Sequence, residues 1–192
     1  MIQKEIELNL PEGNFKADVI EFEEIDRKKL LEIYDSWRTL CTKLNEMQAR
    51  SVNLPEGLSE SSFCLEMNCF RTTGGVKKAG KIKVNTSFDA YNPISNKRIQ
   101  VKACSVLPDL TSFGPKSVWD ELYFVDFYRD GLWDGKFDIY KIETNDIYTN
   151  SVNAGQSFTD QQAQQRRPRF SIYSDIIKPK NIVPIKTGDL KI

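Results

Sequence analysis

The chain has 192 residues, 40% of them hydrophobic and 28% charged, which suits one globular domain with a real core and leaves no apolar run near the ~18 residues that span a bilayer. It contains no histidine, which excludes Ser-His-Asp and Cys-His nucleophilic catalysis and nearly all histidine-ligated metal sites; catalysis must rest on carboxylates, Lys, Tyr, Ser, a Cys or a hard metal ion. The net charge of zero argues mildly against nucleic acid, but residues 1–26 hold eight acids against Lys4 and Lys16, a balance of −6, so the remainder is +6.

The opening MIQKEIELNL lacks the apolar stretch of a secretory signal, and a cytoplasmic protein is expected. Residues 3–10 alternate like an edge strand, and 15–23 form a second candidate. From Asp26, taken as the N-cap, Leu30, Tyr34, Trp37, Cys41 and Leu44 recur at three and four, the spacing of a helix. LPEG at 54–57 breaks the chain; a second helix capped by Ser59 then runs to about Arg71 and is ended by Gly74 and Gly75. Residues 71–83 hold Arg71, Lys77, Lys78, Lys81 and Lys83 without an acid and read as a basic loop. Its Gly75, Gly80 and Lys81 imitate a phosphate-binding loop, but Ile82 replaces the required Ser or Thr and the order is helix to strand.

From Lys81 the period becomes two, and 81–91 and 98–106 read as strands paired around NPISN. ELYFVDFY (121–128) is too continuously apolar for an exposed strand, and KFDIYKI (136–142) returns beside it. TDQQAQQRR (159–167) reads as a polar helix, and Pro179 and Pro184 mark an extended tail. Cys41, Cys64, Cys69 and Cys104 match no zinc or redox spacing and are expected as buried thiols. The pattern predicts one α/β domain over 1–192, with a central mixed sheet flanked by helices.

The stretch SFDAYNPISNKRIQVKA (87–103) carries the chemistry. Strand alternation puts Ile99, Val101 and Ala103 on one face and Gln100, Lys102 and Cys104 on the other. A neighbouring strand can point Asp89 into the same polar pocket. Carboxylate and amide oxygens suit Mg²⁺, and a lysine beside them orients an attacking water near the charge developing on a phosphate. A surface hairpin with its polar side in water has the same pattern, and spacing alone leaves both open.

Glu60 bears on the choice. It lies three, four and seven residues before Phe63, Cys64 and Met67, which with Phe70 form the apolar stripe of the second helix. A carboxylate on that face must be paired or metal-bound, unless it serves only the helix dipole. Glu66 lies about 90° off the stripe and is expected in solvent. Asp89 and Glu60 together would offset the charge of one Mg²⁺.

FDAY followed by IQVKA, with a Glu on the preceding helix, resembles the catalytic core of PD-(D/E)xK nucleases, the superfamily of most type II restriction endonucleases. Phe88 stands where that family loosely keeps Pro, and Gln100 where it usually keeps an acid, a Gln-x-Lys variant used by some restriction enzymes. WDELYFVDFY, DGKFDIYKI and QSFTDQQAQQRRPRFSIYSDII are similar to a small restriction enzyme family that cleaves GC-N-GC, over residues 55–178. The resemblance implies Asp89, Gln100 and Glu60 as ligands of Mg²⁺ and Lys102 as the catalytic lysine. It further implies a bacterial, homodimeric enzyme acting on double-stranded DNA, with no membrane and no nucleotide cofactor. Residues 55–142 would be the catalytic core and 155–178 the DNA-reading segment.

DQQAQQRRPRF adds independent chemistry. Four glutamines and three arginines fall within 161–169, and the arginine fork bonds both acceptors of a guanine edge while glutamine bonds adenine or phosphate. Arg166, Arg167 and Arg169 are the expected guanine readers, with Gln162 and Gln165 beside them and Lys77, Lys78 and Lys81 on phosphates. A polar helix end with arginines near its C-terminus has the same composition. Two other functions fit the chain: a DNA repair or junction-cleaving nuclease on the same core, and a non-catalytic nucleic-acid-binding module.

Overall fold

The computed structural model describes residues 1–192 apart from 75, 79–80 and 84–87, and only the backbone of 77, 78 and 81–83. Both alternating amino-terminal segments are strands, β1 (Ile2–Leu10) and β2 (Gly13–Glu21), paired as an antiparallel hairpin. A 3₁₀ turn, Glu24–Asp26, leads into α1 (Arg27–Glu46). Asp26 does not cap α1 with its side chain: its carboxylate accepts the Glu23 N–H at 3.0 Å and the amino terminus at 2.5 Å, closing the preceding turn instead.

The second helix, α2 (Glu56–Met67), is shorter than its sequence pattern predicts. Asn68 adopts a left-handed conformation with φ 50° and stops it, a position that the short polar side chain of Asn tolerates. Phe70 and Arg71 therefore belong to a strand, β3 (Phe70–Thr72). Ser59 lies inside the helix and donates its hydroxyl to the Glu56 carbonyl at 3.1 Å, and it is Pro55 that stands at the N-cap. The expected basic loop is instead an antiparallel pair, β4 (Val76–Lys78) and β5 (Lys81–Lys83). Its Gly75 and Gly80 lie outside the described residues.

The hairpin around NPISN forms from β6 (Ala90–Asn92) and β7 (Lys97–Cys104), with the Asn92 side-chain oxygen accepting the N–H groups of Ile94 and Ser95 at 2.9 and 3.1 Å. Then follow β8 (Thr111–Ser112), β9 (Glu121–Asp126), β10 (Lys136–Ile142), α3 (Thr144–Thr149), β11 (Ser151–Asn153) and β12 (Gln156–Ser157). The chain ends with α4 (Phe158–Ala163), β13 (Arg169–Phe170), a π-helical turn continued by α5 (Lys178–Lys180), and β14 (Lys186–Asp189). The tail is thus not simply extended: Pro179 sits in α5, and β14 returns to pair with β10.

Among the described residues the main sheet has ten strands in the order β14-β10-β9-β7-β6-β3-β2-β4-β5, with β1 on the other edge of β2. Only β7 and β9 run parallel; every other described pair in it is antiparallel, which makes the sheet mixed. Both faces of its centre are covered. Tyr123 and Val125 pack with Ile99, Val101 and the inner faces of α1 and α2, while Leu122 and Phe124 pack with Phe113, Trp119, Phe158 and Phe170. Double coverage is why 121–128 lacks a polar alternation. All four cysteines are free and buried. Among the described residues no helix is long and apolar enough to cross a membrane.

Candidate metal centre and nucleic-acid interface

The β6–β7 hairpin and β3 set the position of Asp89. Its N–H donates to the Ile99 carbonyl at 2.9 Å, and its carbonyl accepts both the N–H and the hydroxyl of Thr72, each at 3.0 Å. Its carboxylate Oδ2 accepts the Val101 N–H at 2.8 Å and the amide N–H of Gln100. Gln100 is only 4% exposed and Asp89 half-buried, so this pairing is partly shielded from solvent. Two residues further along β7, on the same face as Gln100, Lys102 lies with Nζ 5.2 Å from the centre of the Phe113 ring. Glu60 reaches the same region from α2, half-buried, and accepts a hydrogen bond at 2.7 Å from Arg71 Nε.

The charges explain one another. Burial, reinforced by the Glu60 carboxylate, pushes the Asp89 carboxyl up to about 7, against the opposing pull of Lys102 and the Val101 N–H. Burial also raises Glu60, with Arg71 opposing. Lys102 is lowered by burial, and Asp89, Glu56 and Glu60 pull it back up. Two partly buried acids whose pKa values burial raises despite a nearby lysine and arginine mark a local shortage of positive charge. A hard dication would correct it, and the donor set of two carboxylates and an amide oxygen matches Mg²⁺, which takes one or two carboxylates and keeps several waters. Among the described residues no group of three acids, cysteines or histidines gathers anywhere, so a cation here would draw further oxygens from water and substrate.

The arginine segment is fixed beside this site by pairing. β13 pairs with β8, and the Pro168 carbonyl accepts the Phe113 N–H at 3.1 Å, so the chain carrying Arg166–Arg169 borders the ring that covers Lys102. Arg167 adds its charge to the environment of Lys102. Arg166, Arg167 and Arg169 are exposed, and no ion pair engages them among the described residues. Gln165 is exposed as well, at φ 59°. Gln162 is half-buried and already donates to the Gly114 carbonyl at 3.2 Å, which occupies part of its amide. The side chains of Lys77, Lys78 and Lys81 lie outside the described residues.

Asp89, Gln100, Lys102 and Glu60, four residues singled out from the sequence, therefore meet. Glu66 departs from its expected place in solvent. It is 8% exposed and paired to Arg27 at 2.6 Å and Lys186 at 2.9 Å, because β14 and the start of α1 close over that face of α2. Sequence reading missed Glu56, Arg71, Thr72 and Phe113. Glu56 was findable, since it precedes Glu60 by one helical turn; the other three owe their place to β3 and β8, which no local pattern announces.

Comparison with known proteins follows the same line. Residues 22–179 match the family described as Bsp6I restriction endonuclease. The type II restriction enzyme Bsp6I of Bacillus sp. (strain RFL6) is 33% identical over 179 residues, covering 89% of this chain and 94% of that protein. No solved structure matches.

Proposed function

The chain belongs to the Bsp6I restriction endonuclease family, and from that premise we propose that it cuts double-stranded DNA by Mg²⁺-dependent hydrolysis at the pocket of Asp89, Gln100, Lys102 and Glu60. The observation that carries the proposal is the convergence of those four side chains from α2 and the β6–β7 hairpin, next to an exposed arginine segment.

Asp89, Glu60 and the amide oxygen of Gln100 would hold the cation. When bound, it supplies Lewis-acid polarisation of the phosphate and lowers the pKa of a coordinated water. Lys102 donates no hydrogen bond among the described residues and is driven toward its neutral form by burial. It faces the attacking water and orients it, and its positive charge offsets the negative charge growing on the phosphate. Asp89 is held by Thr72, Val101 and Ile99, so its oxygens need little reorganisation before the reaction. The products are 5′-phosphate and 3′-hydroxyl ends.

Recognition falls to residues 155–178 and catalysis to 55–142 of one domain. Arg166, Arg167 and Arg169 read guanines, with Gln165 and the free edge of Gln162 beside them, and Lys77, Lys78 and Lys81 contact phosphates. Two copies acting on a GC-N-GC palindrome in a bacterial cytoplasm complete the reading.

Cleavage of a defined plasmid, with ends mapped, tests it. Wild type with Mg²⁺ should give a discrete fragment pattern. Lys102→Ala should lose cleavage by about a hundredfold or more and keep DNA binding in Ca²⁺. A wild type that cuts with no divalent ion present, or a Lys102→Ala variant that cuts normally, sinks the proposal. Random nicking would point to repair instead.

A further inference from the structure

Arg71 is unused by the reading above, yet it is the one cation hydrogen-bonded to either acid of the pocket among the described residues. Its place is fixed by backbone pairing: on β3 it stands opposite Ala90 of β6, the residue after Asp89, and opposite Ile20 of β2. From there its Nε reaches Glu60 Oε2 at 2.7 Å, and its two Nη groups make no hydrogen bond among the described residues. The side chain is 25% exposed against 15% for Glu60, so the guanidinium lies on the solvent side of the pair.

A guanidinium and a dication compete for one carboxylate. Both are drawn to Glu60, and they repel each other at the few ångströms such a shared ligand imposes. Arginine also carries a planar fork that fits phosphate oxygens, and it holds its charge whatever its surroundings. Glu60 has Arg71 as its hydrogen-bond partner. Once a cation occupies the pocket, that partnership weakens just where the scissile phosphate enters.

Building on the metal-dependent nuclease reading, we propose that Arg71 is a charge-exchanging residue. It neutralises Glu60 while the site lacks its cation, and it moves onto a phosphate oxygen of the DNA when cation and substrate arrive. Metal and DNA then reinforce each other through one side chain. DNA gives the guanidinium a new anion, and so frees Glu60 for the cation.

The test reads binding, not turnover. Mn²⁺ binding to the full chain without DNA is measured by electron paramagnetic resonance. Binding of a duplex spanning a cleavage site mapped with the wild type is measured in Ca²⁺. Arg71→Gln removes the charge and keeps a hydrogen-bond donor for Glu60. It should bind Mn²⁺ about threefold or more tighter than wild type and bind the duplex about threefold or more weaker. Unchanged or weaker Mn²⁺ binding overturns the competition, and unchanged duplex binding overturns the phosphate contact. If Arg71→Gln does not fold, Arg71→Lys takes its place: with the charge kept, Mn²⁺ affinity should stay near wild type while the duplex binds more weakly for want of the planar fork. Unaltered duplex binding by Arg71→Lys also overturns the phosphate contact. Asp89→Asn is the control for the underlying reading. If it leaves Mn²⁺ binding intact, the metal site itself is misplaced; if it abolishes Mn²⁺ binding while Arg71→Gln changes nothing, only the role of Arg71 falls.

Discussion

At the scale of single residues, the pocket holds its acids at a cost to stability. Asp89 has a folded pKa of about 7, above the ~4 of an exposed aspartate. The native state therefore binds this proton more tightly than the unfolded chain does. The stabilisation that the proton confers is complete below pH ~4 and is lost as pH rises from there through 7. Asp89→Asn removes the titration and keeps an acceptor for the Val101 N–H. In metal-free buffer it should match wild type near pH 4 and exceed it at pH 8, by on the order of 2 kcal/mol after discounting for partial exposure. Urea unfolding at the two pH values reads the difference, and equal stability at pH 8 would show that the ionised carboxylate is already well solvated. The shared face of Gln100 and Lys102 was legible in the sequence because period-two spacing decides which side chains share a strand face, whereas Asp89 stands just before β6 and meets Gln100 through the hairpin. The clamp by Thr72 was not, because its partner residues lie 16 and 17 positions away.

At the scale of elements, two of the three glutamates of α2, Glu60 and Glu66, sit in different surroundings. Glu66 ties α2 to Arg27 of α1 and to Lys186 of β14, with side-chain exposures of 7% for Glu66 and 11% for Arg27. Glu66→Ala removes the ties to Arg27 and Lys186 but leaves Arg27 bonded to Glu24 and the Asp189 carbonyl, so it should lower stability by about 1–2 kcal/mol, seen as a lower urea midpoint, while cleavage per folded molecule stays intact. Glu60→Gln should do the reverse, with little change in the midpoint and a large loss of cleavage. If both variants lose cleavage in proportion to stability, the division between them is wrong. Sequence periodicity placed Glu60 on the packed side of α2 correctly. It placed Glu66 in solvent, because a helical wheel sees one neighbouring surface, whereas β14 approaches α2 from another side.

At the scale of the molecule, a separate two-stranded ribbon sets the arginine segment near the Asp89 pocket. The β8–β13 ribbon sets Arg166–Arg169 beside Phe113, whose ring covers Lys102. A palindromic target needs two such assemblies related by a twofold axis. Sedimentation in the presence of DNA and Ca²⁺ should therefore give one duplex plus two chains of 22.1 kDa each. A single chain per duplex at saturation would argue for a monomer that cuts each strand in turn.

The sequence by itself determined the local matters: strand and helix periods, the hairpin at NPISN, the shared face of Gln100 and Lys102, and the absence of any histidine chemistry. Those follow from residue types and spacings within a few positions of one another. The tertiary structure alone decided that α2 stops at Met67 and yields Arg71 to a strand, that Arg71 meets Glu60, that Thr72 grips Asp89, and that Glu66 is buried under the returning tail. Each of these depends on strands distant in sequence becoming neighbours, and sheet order is set by burying both faces of β7 and β9 at once.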